Sequence, residues 1–193
     1  ELIGLQQEQA ENQDTLKLLN RTVLTIRQIS KPVVAAVNGV AAGGGANLVL
    51  SCDMIVASEK AKLAENFINI GLVPDGGGTY FLPERIGYYR AAEIFFTGKI
   101  LSAQEALNLG LYNRVVPPGD VLNEALDLAR KLAQKPPLAI AAGKAILNRD
   151  VVPRLKAFLE DEAENQRNMV GTQDTREGIT AFLEKRKPNF IGK

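Results

Sequence analysis

The sequence predicts an α/β core followed by a helical C-terminal subdomain. Short apolar runs alternate with segments of helical periodicity as far as residue 118, and beyond that point only helical periodicity remains. A hydrophobic content of 46% over 193 residues is enough to bury a core of this kind. We therefore expect residues 1–118 to form the α/β core and residues 119–193 to form the helical subdomain.

The first predicted elements are a helix, a strand and a second helix. Apolar residues recur at helical spacing over residues 14–29, and Asp14 is a suitable N-cap for this helix. Pro32 ends the pattern, and the apolar run at 33–37 predicts a buried strand. Helical spacing then resumes over residues 45–52.

Two more short strands are predicted at 54–57 and 62–65, and the glycine run at 76–78 indicates the start of another helix. The remaining predicted helices are bounded by glycine, proline or polar residues and cover 88–97, 102–109, 120–134, 138–147, 153–170 and 175–185. Ser102 and Glu105 have the spacing of a capping box.

Two glycine-rich segments are the best candidates for a functional site. The first, 38–47, leads from a predicted strand into a predicted helix, and its glycines allow a ligand to approach backbone N–H groups. The second, 71–79, carries Asp75 between a proline and a glycine. Together they predict an oxyanion-binding loop and an acid/base carboxylate.

Each segment also has a purely structural interpretation. The run 43–45 suits a tight turn with close packing of strand on helix, and it lacks the lysine and Ser/Thr of a P-loop. Asp75 precedes a predicted helix and is suited to cap it. Its apolar neighbours Ile70, Leu72 and Val73 favour instead a carboxyl with a raised pKa, as a proton carrier requires.

Other charged residues are expected at the surface. Glu65 ends a predicted strand, so we expect a solvated or salt-bridged side chain there. The run Lys185-Arg186-Lys187 is typical of a solvated helix end, and the alternative is that its cations meet the phosphates of a ligand.

Composition excludes several functional classes. The 23 basic and 22 acidic side chains leave a net charge of +1, which provides no general field for nucleic acid or an anionic membrane. The absence of histidine excludes Ser-His-Asp and Cys-His nucleophiles and the usual zinc sites. The single Cys52 has apolar neighbours, which predict a buried thiol. We expect a cytoplasmic protein without a metal or other cofactor, and Glu1 in place of methionine favours a fragment.

With both glycine segments in view, the chain resembles the crotonase superfamily of enoyl-CoA hydratases and isomerases. The resemblance runs from about residue 29 to residue 193 and is carried by motifs at 31–39, 52–53, 77–79, 97–98, 103–106 and 110–111. It implies a crotonase-like spiral of ββα units whose upstream part is missing here. It also implies a homotrimer or a dimer of trimers, with the helical subdomain at the interface.

The resemblance implies a binding site for an acyl-CoA thioester. In the family the thioester oxygen lies between two backbone N–H donors, and Gly44 matches the downstream donor, next to Ala42 and Gly43. The upstream donor would precede this chain or lie at its very start. The resemblance also places Lys185 or Lys187 near the phosphates of CoA, which enters as part of the substrate.

The same resemblance bears on the type of reaction. Hydratases of the family activate water with two glutamates, and the matching positions hold Asn47 and Phe67, which exchange no proton at neutral pH and are expected to contact the substrate. Asp75 matches the acid/base of isomerase-like members, most closely the ring-epoxide isomerases of phenylacetyl-CoA breakdown. We predict an isomerase in which Gly44 holds the oxyanion and Asp75 moves the proton. The alternatives are a hydratase in which Asp75 or Glu65 handles water, and a catalytically idle subunit that binds CoA esters.

Overall fold

The computed structural model describes residues 2–193, and it describes side chains from residue 14 onward. In this part of the chain there are nine α-helices, namely α1 Leu2–Gln28, α2 Gly44–Ser51, α3 Gly78–Ile86, α4 Tyr88–Thr97, α5 Ala103–Asn108, α6 Val121–Ala133, α7 Pro137–Asn148, α8 Val151–Met169 and α9 Gln173–Leu183. The strands are β1 Val34–Val37, β2 Val40–Ala42, β3 Met54–Ser58, β4 Lys62–Ala64, β5 Ile100–Ser102 and β6 Arg114–Val116. A short 3-10 helix, Phe67–Ile70, follows β4.

The strands form two three-stranded sheets that the chain visits alternately. One sheet has the order β1-β3-β6 with parallel pairing throughout, and the other has the order β2-β4-β5. In the second sheet β2 and β4 are parallel, whereas β4 and β5 are antiparallel. A unit of two strands and a helical segment occurs twice in succession. Each unit contributes one strand to each sheet. The first unit runs from β1 to α2, and the second runs from β3 to α3.

The register between β2 and β4 positions the candidate site. Ala42 lies opposite Ala64 at the ends of these parallel strands, so the segments that begin at Gly43 and Glu65 leave the sheet side by side. The Gly43 N–H donates to the Ala64 carbonyl oxygen at 2.9 Å, which extends the pairing by one bond. The turn at Gly43 and the segment that leads from Glu65 to the second glycine-rich segment therefore start from neighbouring points.

The core includes side chains from both halves of the sequence. Leu63 of β4, Phe81 of α3 and Leu155 of α8 are all fully buried in one apolar cluster. Helix α8 packs on α1 and α3, and α9 packs on the 3-10 helix. A Cβ atom built on Gly178 of α9 would lie 2.6 Å from the Ile70 backbone, so the missing side chain allows this close approach. The division at residue 118 into two units stays a prediction.

The predicted helices are confirmed, most of them with bounds that differ by one or two residues, and the N-cap predicted at Asp14 is wrong. Helix α1 continues through Asp14, so this residue caps nothing and instead pairs with Lys17 at 3.2 Å. The predicted strand at 62–65 ends at Ala64. The capping box is confirmed, since Ser102 Oγ accepts from the Glu105 N–H and Glu105 Oε2 accepts from the Ser102 N–H.

The buried thiol predicted at Cys52 is confirmed, with 8% of the residue exposed. Across residues 2–193, none of the helices combines the length and the apolar character that crossing a bilayer requires.

Candidate functional site

The start of helix α2 presents backbone N–H groups that have no acceptor within the helix. Gly43 is the N-cap and adopts φ 55 and ψ −131, a conformation that favours glycine. Gly44 then begins the helix, and the first N–H groups of a helix have no acceptor within it. The helix dipole adds positive potential at the same end. The Gly44 N–H is therefore suited to stabilise an oxyanion.

The Asp75 side chain lies close to this helix start. It belongs to the loop between the 3-10 helix and α3. A Cβ atom built on Gly44 would lie 3.4 Å from Asp75 Oδ1. This oxygen is buried and has no hydrogen-bond partner within residues 14–193, whereas Oδ2 accepts from Gln166 Nε2 at 3.1 Å. The structure thus brings the two predicted catalytic groups together and leaves one carboxyl oxygen unengaged.

Helix α3 is capped by Glu162 of α8 and not by Asp75. The Glu162 carboxyl accepts from the Gly77 N–H at 2.7 Å and from the Thr79 N–H at 2.9 Å. Its Oε1 also accepts from the Thr79 hydroxyl. The capping interpretation of Asp75 is therefore wrong, because another carboxylate already binds these N–H groups.

Burial raises the pKa of Asp75 to about 6, against an opposing effect of the hydrogen bond from Gln166. Leu19 of α1 contributes to this apolar setting. Its Cδ2 would lie 2.8 Å from a Cβ on Gly44 and 2.9 Å from one on Gly76, so it packs over both glycines. A carboxyl with this pKa both accepts and releases a proton near neutral pH.

Asn47 and Glu65 lie directly behind the Asp75 loop. Asn47 has no exposed surface, and its Nδ2 donates to the Asp75 carbonyl oxygen at 2.6 Å and to Glu65 Oε2 at 3.4 Å. Glu65 is only 1% exposed, and it forms no ion pair in the part of the chain with described side chains. The expectation of a solvated or salt-bridged Glu65 is wrong, because the segment after β4 turns inward.

Three carboxyls therefore share a buried site that lacks a paired cation within the described side chains. Burial raises the pKa of Glu65 well above its ordinary value, and the nearby Glu162 and Asp75 add to this against the hydrogen bond from Asn47. Burial also raises the pKa of Glu162 to about 7, against its hydrogen bonds from Thr79 and Gly77. Protons are consequently retained here to higher pH than at a solvated carboxyl.

The other predicted substrate contacts lie in different settings. The Phe67 ring is buried, and its Cζ would lie 3.3 Å from a Cβ on Gly43. Ala42 is exposed at the end of β2. Lys185 and Lys187 are exposed beyond α9, as both the solvated helix end and the contact with a ligand's phosphates require. Between residues 14 and 193 no hydrogen bond or ion pair joins either lysine to Gly44 or Asp75, so contact with CoA phosphates stays a prediction.

Sequence reasoning missed Glu162 and Gln166. Both lie on the buried face of α8, where Leu155, Leu159, Glu162 and Gln166 follow one another at helical spacing. A glutamate and a glutamine that continue an apolar stripe are a signal that was available in the sequence. Leu19 carries no such signal, because it is one apolar residue among several on α1.

A second buried polar cluster lies at the end of α1. Lys144 Nζ donates to Asp53 Oδ2 at 2.6 Å and to the carbonyl oxygens of Ile26 and Lys31. Arg27 lies 3.6 Å from Asp53 Oδ1. This cluster lines a cavity of about 540 Å³ to which neither Gly44 nor Asp75 contributes. Nowhere in the described side chains do three or more His, Cys, Asp or Glu residues come together as a metal site would require.

The chain is similar to known proteins in both sequence and structure. The family model described as enoyl-CoA hydratase/isomerase matches residues 2–193. A crotonyl-CoA hydratase of Syntrophomonas wolfei is 39% identical over 168 residues, which are 87% of this chain and 65% of that protein. A 1,2-epoxyphenylacetyl-CoA isomerase of Escherichia coli is 39% identical over 177 residues, 92% of this chain and 68% of that protein. The chain thus spans slightly less than two thirds of the hydratase's length.

The chain is also similar to solved structures of CoA-ester hydratases. The crystal structure of an enoyl-CoA hydratase from Mycobacterium avium subsp. paratuberculosis superposes with a TM-score of 0.88 at 35% identity, covering 92% of this chain and 72% of that one. A carnitinyl-CoA hydratase from Mycobacterium avium gives a TM-score of 0.82 at 32% identity, covering 87% and 66%.

Proposed function

The chain belongs to the enoyl-CoA hydratase/isomerase family and has the crotonase-like fold, and from this premise we propose that it is an enoyl-CoA isomerase. The proposed substrate is an acyl-CoA thioester with a carbon–carbon double bond. One observation carries the choice of reaction. Asp75 directs an unengaged, buried carboxyl oxygen toward Gly44, the helix start at which the thioester oxygen would be held.

The proposed reaction needs one base and an oxyanion hole, in which Gly44 supplies the downstream donor. The Asp75 carboxylate removes a proton from the carbon that flanks the conjugated system, and the electron pair moves to the thioester oxygen. The Gly44 N–H stabilises the resulting enolate. Asp75 then returns the proton at a second carbon, which restores the carbonyl and leaves the double bond shifted. No atom is gained or lost, so a single carboxyl completes the cycle.

The surroundings of Asp75 support this role. A pKa of about 6 leaves the group mostly ionised at neutral pH and still able to deliver the proton it has taken. Gln166 holds Oδ2 and so directs Oδ1 toward the helix start. The positions of the two water-activating glutamates hold Asn47 and Phe67, which carry no titratable carboxyl.

A hydratase is the second candidate, because the Syntrophomonas wolfei protein is named for that reaction and is 39% identical. Asp75 would then activate water with one partner carboxyl. Glu65 is the remaining candidate named from the sequence, and its 1% exposure argues against a role in contact with water.

One experiment separates these possibilities. Double-bond migration, hydration and binding are measured side by side on a panel of enoyl-CoA esters. The isomerase proposal expects migration, together with exchange of the transferred hydrogen with deuterated solvent. Hydration without migration would overturn it in favour of the hydratase, and binding without turnover of any ester would favour the idle subunit. Trimeric assembly remains a prediction that light scattering would check.

A further inference from the structure

Glu65 is a buried titratable group for which the proposed mechanism has no use. Its carboxyl follows β4 directly and is 1% exposed. No lysine or arginine forms an ion pair with it among residues 14–193. An isolated carboxylate in such a place is strongly destabilising, whereas a hydrogen-bonded neutral acid is not.

The atoms that lack partners around Glu65 are complementary. Asn47 Nδ2 donates to Glu65 Oε2 at 3.4 Å. Each group has one more oxygen, and both of these atoms are buried without a partner within the described side chains, namely Asn47 Oδ1 and Glu65 Oε1. While Glu65 is ionised, both of these atoms can only accept hydrogen bonds. A proton on Oε1 turns one of them into a donor, and an amide beside a carboxylic acid then forms two hydrogen bonds.

The close packing of Gly78 shows that the two groups lie together. A Cβ atom built on Gly78 would lie 3.0 Å from Asn47 Oδ1 and 3.1 Å from Glu65 Oε2. Both groups therefore pack against the same bare backbone at the start of α3. The charged groups facing them are the carboxyls of Glu162, from α8, and Asp75, and both disfavour a further negative charge.

We propose that Glu65 is held as a neutral carboxylic acid that donates its O–H to Asn47 Oδ1, and that this pair positions the loop carrying Asp75. The Asn47 amide has one orientation in this arrangement, with its second N–H on the Asp75 carbonyl oxygen at 2.6 Å. In the opposite orientation Asn47 Oδ1 would face the Asp75 carbonyl oxygen, and two acceptors would then oppose each other. Glu65 is thus a positioning residue, and its catalytic consequence rests on the proposed role of Asp75.

Infrared spectroscopy tests the protonation directly and does not depend on activity. Only a protonated carboxyl shows a carboxylic-acid C=O band. The spectrum of wild type minus Glu65→Gln at pH 7 and pH 8 is expected to contain this band. Glu162→Gln is the matched control, because Glu162 is the other carboxyl that retains a proton near this pH. Its pKa is about 7, so pH 8 lies one unit above it. The Glu162→Gln variant is expected to keep the Glu65 band at pH 8. Absence of the band from the difference spectrum at both pH values would overturn the proposal.

Activity tests the positioning. Glu65→Gln retains a donor for Asn47 Oδ1, so its kcat is expected to stay within about fivefold of wild type. Glu65→Leu leaves the Asn47 amide unsatisfied and is expected to lower kcat about 10- to 100-fold with a smaller change in KM. Circular dichroism of each variant checks folding, and the infrared result stands if Glu65→Leu does not fold. If Glu65→Gln is as inactive as Asp75→Asn, the positioning role of Glu65 is overturned. If Asp75→Asn is active, the proposed function is overturned, whereas the carboxylic-acid band of Glu65 is still expected.

Discussion

The cluster around Asp53 and the cluster around Asp75 bury carboxyls in opposite ways. Asp53 lies between Lys144 and Arg27, and all three donors of the Lys144 ammonium have acceptors. Asp75 shares its surroundings with two more carboxyls and no paired cation among the described side chains, and its Oδ1 has no hydrogen-bond partner there.

This difference separates a structural cluster from a reactive one. Where a carboxylate has cationic partners and donors match acceptors, the cluster holds elements together and has little capacity to take up a proton or a ligand. Where carboxyls accumulate without a cation, pKa values rise and acceptor atoms stay available. The cluster that includes Asp75 is the one from which proton transfer is expected.

Asp75→Asn is expected to have the largest effect on activity. The amide has nearly the same shape but cannot take a proton, so kcat for isomerisation should fall about 10²- to 10⁴-fold. Binding of the CoA ester, measured by calorimetry, should change little. Asp53→Asn is the matched control from the other cluster and should keep most of the kcat of the folded protein. Equal losses in the two variants would remove the functional distinction between the clusters.

Lys144→Met is expected to have the largest effect on stability. It keeps the length of the apolar stem and removes the ammonium that is 2.6 Å from Asp53 Oδ2. The free energy of unfolding should fall by about 3 kcal/mol, since a buried carboxylate loses its main partner. Urea denaturation measures this, with wild type and Asp75→Asn run alongside. A decrease below about 1 kcal/mol would show that the Asp53 cluster is not the structural clamp inferred here.

The Asp75 cluster should give stability a distinct dependence on pH. In the folded protein Asp75 keeps its proton up to a pKa of about 6, against 3.8 as the ordinary value. The folded state therefore binds more protons between these values, and its stability falls as pH rises through them. The free energy of unfolding of wild type minus that of Asp75→Asn should decrease by on the order of 1–3 kcal/mol between pH 4 and pH 7. A difference that grows with pH would contradict the raised pKa.

Gln166→Leu should have the smallest effect, a shift in the pH profile. The hydrogen bond from Gln166 lowers the pKa of Asp75, so its loss should move that pKa upward from about 6. The acidic limb of kcat/KM should follow by up to about one pH unit, because the base works in its ionised form. Asn165→Ala, an exposed change on the same helix, should leave the limb in place. A shift toward lower pH would contradict the assignment of Gln166.

The sequence was sufficient where the deciding contacts are local. Helix α4 has the predicted bounds of residues 88–97, and the Ser102 capping box involves residues three positions apart. The pairing of Gly44 with Asp75 was also predicted, because the resemblance matches them to the family's oxyanion donor and to the acid/base of its isomerase-like members. The crotonase-like fold expected from the motifs is confirmed.

Long-range partners and very short strands were not predictable in the same way. Gln166 reaches Asp75 across 91 residues of chain, and no pattern near Asp75 announces it. Strands β2, β5 and β6 were not predicted; each has three residues, as does β4, which was predicted one residue too long. The buried state of Glu65 depends on how the chain turns after β4, and a single residue at a strand end gives no sign of that.

The candidate site is completed late in synthesis, because two of its residues lie on helix α8. While residues after 150 are still being synthesised, Asp75 has no amide at its Oδ2 and the start of α3 has no carboxylate from Glu162. An unfolded aspartate titrates near its ordinary 3.8. On a ribosome, the residue proposed as the general base therefore lacks its contact from Gln166 until residues 151–169, in the last quarter of the chain, have emerged and packed.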